Sequence, residues 1–137
     1  IDCGWGRIIT LGSIAATRPF ANFGAYAATK AACVSLAVTF AKEFGGTGIT
    51  SNCISPGDVL TPAAENHWHS VAQKNAWKGD WSAIESKIAA EISPTLVGRL
   101  GRPHEVADLA TFVSSPRAAY INGSNLRIDG GFLASTA

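Results

Sequence analysis

The sequence reads as an α/β fold built on a parallel sheet, and three observations carry that reading. Short runs rich in β-branched residues alternate with longer stretches that hold Ala and Leu at helical spacing. The breaks between them fall at Gly, Pro and Asn. Apolar residues make up 47% of the chain and charged ones 15%, a balance that demands heavy burial. Strands separated by helices need crossover connections and so pair in parallel. At 137 residues the chain has room for one domain with a sizeable core.

Residues 7–11 (RIITL) form the first strand, stopped by Gly12 and Ser13 and followed by a loop with Pro19, Asn22 and Gly24. Residues 25–44 contain neither Pro nor Gly, are dense in Ala and end at Gly45-Gly46, which predicts a helix of about five turns. Two rows line it: Ala27, Ala31, Val34, Val38 and Ala41, and Cys33, Leu36, Ala37, Phe40 and Phe44. One can pack on a sheet and the other needs a partner. Residues 49–55 (ITSNCIS) give the second strand, capped by Pro56-Gly57, and residues 124–128 (SNLRI) the third. Pro103 at a first helical position, with Glu105 in the first turn, opens a helix to about Ser114. Residues 61–98 are longer than a crossover needs and predict one or two helices over a substrate. Trp68, Trp77 and Trp81 there suit a lid or an oligomer contact, with the lid favoured.

Charge excludes several functions. Eleven Lys plus Arg against ten Asp plus Glu leave a net charge of +1, which supplies no field for nucleic acid or an anionic membrane. Small neutral molecules are the expected partners. The longest apolar stretch, residues 31–41, is interrupted by Ser35 and Thr39 and falls short of the ~20 residues that span a bilayer. Cys3, Cys33 and Cys53 are odd in number and form no CxxC, which argues against a disulfide framework or zinc site and for a reducing cytoplasm. His67 and His69 diverge on a helix and no set of ligands completes them, so no metal is expected. Asn52 reads as a buried amide bonded to nearby backbone, and Asp129 as the cap of a turn. The chain holds no Met and opens at Ile1 in the approach to a strand, which points to a piece of a longer protein.

Tyr26 and Lys30 stand four apart near the start of the long helix and project from one face. An ammonium beside a phenol stabilises the phenolate and makes the phenol a usable general acid or base. Alone, the pair reads first as a helix-surface contact. Ser13 sits just past the first strand, at the sheet end where parallel folds bind ligands, and Pro56-Gly57-Asp58-Val59-Leu60-Thr61 follows the second strand at the same edge.

Ser13, Tyr26-Ala-Ala-Thr-Lys30, the run NCISPGDVLT from Asn52 to Thr61, the run GRPHEVA from Gly101 to Ala107, and Asn122 to Gly131 together resemble the C-terminal half of the short-chain dehydrogenase/reductase family. The elements occur in the family's order and spacing over nearly the whole chain. The resemblance implies half of a Rossmann-like doubly wound sheet, NAD or NADP as cofactor, and hydride transfer to or from an alcohol or ketone. It implies Tyr26 as proton donor or acceptor, Ser13 holding the substrate oxygen and Lys30 on the nicotinamide ribose. It also implies cofactor contacts along Pro56, Gly57, Val59 and Thr61, with the Val59 backbone and Thr61 hydroxyl on the carboxamide. A homodimer or homotetramer built through the helix 25–44 follows from that helix's two apolar sides and from the family's habit. An epimerase or dehydratase, or a non-catalytic dinucleotide-sensing or interaction protein, are the alternatives. The family's Gly-rich phosphate turn has no counterpart, because Gly45-Gly46-Thr47-Gly48 joins a helix to a strand. The chain alone is therefore expected to be inactive.

Overall fold

The computed structural model describes residues 4–133. Seven regular elements follow in the order β1 (Gly6–Leu11), α1 (Gly24–Glu43), β2 (Ile49–Pro56), α2 (Pro62–Lys74), α3 (Trp81–Lys87), α4 (Pro103–Ser114) and β3 (Asn125–Ile128). The three strands form one parallel sheet in the order β1-β2-β3. The α/β parallel fold predicted from the pattern is the fold observed, with element ends displaced by a residue or so, as helix and strand termini commonly are. Three short pieces among the described residues escaped the pattern. Ile14–Ala16 make a 3₁₀ turn directly after β1, Ile88–Ile92 continue α3 as a turn of π-helix, and Pro116–Ala118 make a second 3₁₀ turn after α4. All are too short to leave a periodicity.

The described residues fall into two compact units, 4–56 with 107–128 and 57–106 with 129–133. In the first, β2 is the central strand and Thr50 to Ser55 are all buried, whereas β1 is only half-buried and pairs on one side alone. Burial on β2 includes polar groups: the Asn52 and Ser55 side chains are bonded, whereas the buried Thr50 and Ser51 hydroxyls have no partner among the described residues. Asn52, 1% exposed, donates from Nδ2 to the Ile121 carbonyl (2.8 Å) and accepts the Ser124 N–H at Oδ1 (3.0 Å). Its backbone-bonding role was legible from residue type, and Asn122 answers by accepting the Ser51 N–H (2.8 Å).

Helix α1 packs against β1, β2 and the 3₁₀ turn. By length and composition alone it could cross a bilayer; in this fold it is tied to β1 by the Thr10 hydroxyl, which donates to the Cys33 carbonyl (3.1 Å). Only Ala27 and Ala37 are fully buried on it. Past its end, Gly48 takes φ +81° where a Cβ would run into the backbone of Gly4, so the glycine is required by both conformation and space. Cys33 and Cys53 are free thiols, and Cys3 lies outside the described residues.

The second unit has its own core of Trp68, Ala72, Ile84, Ile88 and Leu100, against which Leu60, Trp77 and Trp81 pack. The tryptophans therefore fill the interior of this unit first: Trp68 is 7% exposed because it shares the inner face of α2 with Ala72, one turn on. The region 61–98 does contain two helices. Thr61 caps α2 by accepting the Ala64 N–H (3.2 Å), with Pro62 at the first helical position, and Asp80 caps α3 by accepting the Ala83 N–H (2.9 Å). Between them Ala76 is held at φ +52°, a left-handed conformation unusual for a residue with a side chain.

Candidate active site

In the first unit, the C-terminal end of β1 gathers three of the residues singled out by the sequence. Ser13 is extended and caps the 3₁₀ turn, its Oγ accepting the Ala15 N–H (3.1 Å). As a hydroxyl acceptor it keeps its own hydrogen to donate. Lys30, one turn along α1 from Tyr26, sends its ammonium to the carbonyl of Leu11, the last residue of β1 (2.9 Å). The same Nζ lies 5.6 Å from the centre of the Tyr26 ring. Phe23 meets that ring edge-on with centroids 6.3 Å apart, which fixes the ring's tilt while leaving Tyr26 46% exposed. Lys30 and Tyr26 thus share one face as the spacing of four requires, and the Leu11 carbonyl pins that face to the strand end from which Ser13 follows. Pro56 ends β2.

In the second unit, the loop from Gly57 to Thr61 is held by a parallel bridge between Val59 and Gly101. Gly101 donates to the Asp58 carbonyl and accepts the Leu60 N–H, both at 2.9 Å, and the Thr61 N–H folds back on the Val59 carbonyl (2.9 Å). The Val59 N–H bonds to nothing among the described residues. The Thr61 hydroxyl accepts as a helix cap and keeps its hydrogen. Gly57 permits no larger residue, since a Cβ would lie 2.9 Å from the Cα of Asp129. Asp129 closes the following turn as its type predicted, accepting the Gly131 and Leu133 N–H groups at 3.0 Å each.

Two carboxylates of this unit were missed as partners. Glu105 accepts both nitrogens of the Arg99 fork (3.0 and 2.7 Å) and the Arg102 N–H (2.7 Å). Glu85, on α3, accepts both nitrogens of the Arg102 fork (2.6 and 2.9 Å) and the Leu100 N–H (3.1 Å). The Arg99 bond holds the Glu105 carboxyl down to about 2, and the Arg102 bond holds Glu85 below the usual range against the opposing pull of burial. The spacing of Glu105, three residues after the residue whose N–H it caps at the helix start, was an available signal. No such pattern marks Glu85.

Parallel strands joined by helices, with polar side chains collected at a strand's C-terminal end, define a Rossmann-like α/β protein. A family model described as enoyl-(acyl carrier protein) reductase matches residues 2–133. An uncharacterised oxidoreductase of Bacillus subtilis (strain 168) is 36% identical over 95% of this chain and 49% of its own length. D-threitol dehydrogenase of Mycolicibacterium smegmatis is 37% identical over 96% of this chain and 45% of its own. The crystal structure of L-sorbose reductase from Gluconobacter frateurii, complexed with NADPH and L-sorbose, superposes with a TM-score of 0.84 at 34% identity, covering 98% of this chain and 49% of that one. The chain belongs to the short-chain dehydrogenase/reductase family. It spans about half the length of the curated relatives it matches.

Proposed function

We propose that this chain is the catalytic half of an NAD(P)-dependent oxidoreductase that interconverts an alcohol and a ketone. One observation carries the reading: the Lys30 ammonium is bonded to the last carbonyl of β1 and lies 5.6 Å from the Tyr26 ring, which sets an amine and a phenol at the strand end that Ser13 follows. The NADPH held by the similar sorbose reductase supports a nicotinamide cofactor. When bound, that cofactor supplies or accepts the hydride. Ser13 donates its remaining hydrogen to the substrate oxygen and so orients it, while Tyr26 gives or takes the proton at that oxygen. Lys30 spends one N–H on Leu11 and has two left for the ribose hydroxyls. The unspent Val59 N–H and Thr61 hydroxyl fit the carboxamide, with Pro56 and Gly57 shaping the approach to that loop. Held donors and a fixed phenol account for rate through positioning and electrostatics.

The same reading makes α1 a self-association face in a homodimer or homotetramer, because Leu36 and most of the helix stay uncovered. Residues 61–98 then serve as the substrate region of a single catalytic domain. The full-length protein, incubated with NADPH or NADH and a panel of ketones and ketoses, is expected to consume the reduced cofactor, followed by its nicotinamide absorbance. Absence of turnover with every carbonyl, in a protein that binds the cofactor, overturns the assignment.

A further inference from the structure

We propose that Glu85 is a positioning residue for the Gly57–Thr61 loop, through which the α2–α3 segment governs how firmly a nicotinamide ring is held. The inference rests on the functional reading above and deepens it. Its basis is a pair of nested clamps within the second unit. Gly101 holds the loop on both sides of Val59, donating to Asp58 and accepting from Leu60. Glu85 holds the chain on both sides of Gly101, accepting the Leu100 N–H and the Arg102 fork. The carboxylate on α3 is therefore two hydrogen-bonded steps from the free Val59 N–H, with one glycine between the two clamps. Leu100, fully buried among Ile84, Ile88 and Trp68, keeps the intermediate strand of chain from drifting sideways. Arg99 and Glu105 fix its outer flank to the start of α4.

Stability alone is a poor reason for this arrangement. Glu85 is 8% exposed, and a carboxylate taken out of water is costly unless it is fully bonded; a well-packed apolar residue in its place often serves folding as well. What a two-pronged Arg–carboxylate pair adds is one fixed geometry. That geometry is delivered to Val59, whose N–H bonds to nothing among the described residues.

The test uses the full-length protein and two variants, Glu85→Gln, which keeps one acceptor oxygen but removes the charge and the second acceptor for the Arg102 fork, and Arg102→Lys, which removes the fork. Two readouts are taken. Amide hydrogen exchange of Leu60 and Gly101 in the ligand-free protein is expected to accelerate in both variants, while the β2 amides stay as they are. Binding of NADPH is expected to weaken roughly 5- to 30-fold, whereas ADP-ribose, which has no nicotinamide, binds as before. A general loss of structure moves both ligands together, and that outcome, or unchanged exchange at Leu60 and Gly101, overturns the proposal. If the wild type binds neither ligand the functional reading fails by itself, and the exchange data alone then decide whether Glu85 controls the loop.

Discussion

Replacing Tyr26 by Phe removes one hydroxyl and leaves the ring, its edge contact with Phe23 and the Lys30–Leu11 bond in place. If the phenol moves the proton, turnover of the full-length enzyme is expected to fall by about 10²–10⁴-fold while NADPH affinity holds; unimpaired turnover by stopped-flow absorbance contradicts the role. Ala76 offers an opposite experiment. Its φ of +52° strains a residue with a Cβ, so Ala76→Gly is expected to stabilise the protein by about 0.5–1 kcal/mol despite the added freedom of the unfolded chain. A lower denaturation midpoint in urea rules that out. Residues of this kind differ in how far the sequence exposes them. Tyr26 and Lys30 are visible because a helix brings every fourth residue to one face, and Asn52 and Asp129 because their side chains have few uses in a strand and a turn. Glu85 and Arg102 are not, since they lie 17 residues apart and meet only after α3 and the following loop have packed.

At the level of elements, α1 is legible from composition, with no Pro or interior Gly and a glycine stop, yet its apolar rows do not divide cleanly into inner and outer faces. The fold buries Ala27 and Ala37 and leaves Leu36 45% exposed. Leu36→Glu should cost little folding free energy on an exposed position but should charge the proposed association face, so light scattering of the full-length protein is expected to show a smaller particle than wild type. An unchanged mass excludes this face. The junction of α3 with α4 carries a different sensitivity. Glu85 and Glu105 both have lowered values in the folded protein, each chiefly through its arginine bond. A carboxyl lowered on folding stabilises fully above its ordinary 4.5 and loses that contribution as pH falls, for Glu105 toward about 2. Partial exposure of the Arg99–Glu105 pair screens it, so the larger share is expected from Glu85. Thermal melts by circular dichroism between pH 5 and 2.5 should therefore show a shallower decline in Glu85→Gln than in wild type, and parallel declines refute the assignment.

At the scale of the molecule, the parallel pairing of the strands was written in the alternation of strands and helices, whereas the division into two units was not, because a boundary between compact units leaves no mark on composition. The sequence also shows what the described sheet does not carry. Pyrophosphate is held where a strand passes through a Gly-rich turn into a helix, whose first N–H groups are free. The Gly-rich run of this chain sits in the reverse sense, from α1 into β2 through Gly45, Gly46 and Gly48, and positive φ at two of these serves the turn itself. β1, meanwhile, has one edge unpaired among the described residues, and the chain leaves its C-terminal end through Ser13 and a 3₁₀ turn rather than through a Gly-rich turn into a helix. Most of the binding energy for a dinucleotide is thus expected from outside these 137 residues. Made alone, the chain should leave NADPH unbound at micromolar concentrations in calorimetric titration, and the full-length protein should bind it. Micromolar binding by the chain alone sinks this division of labour, because it requires a phosphate cradle that the α1–β2 turn cannot form.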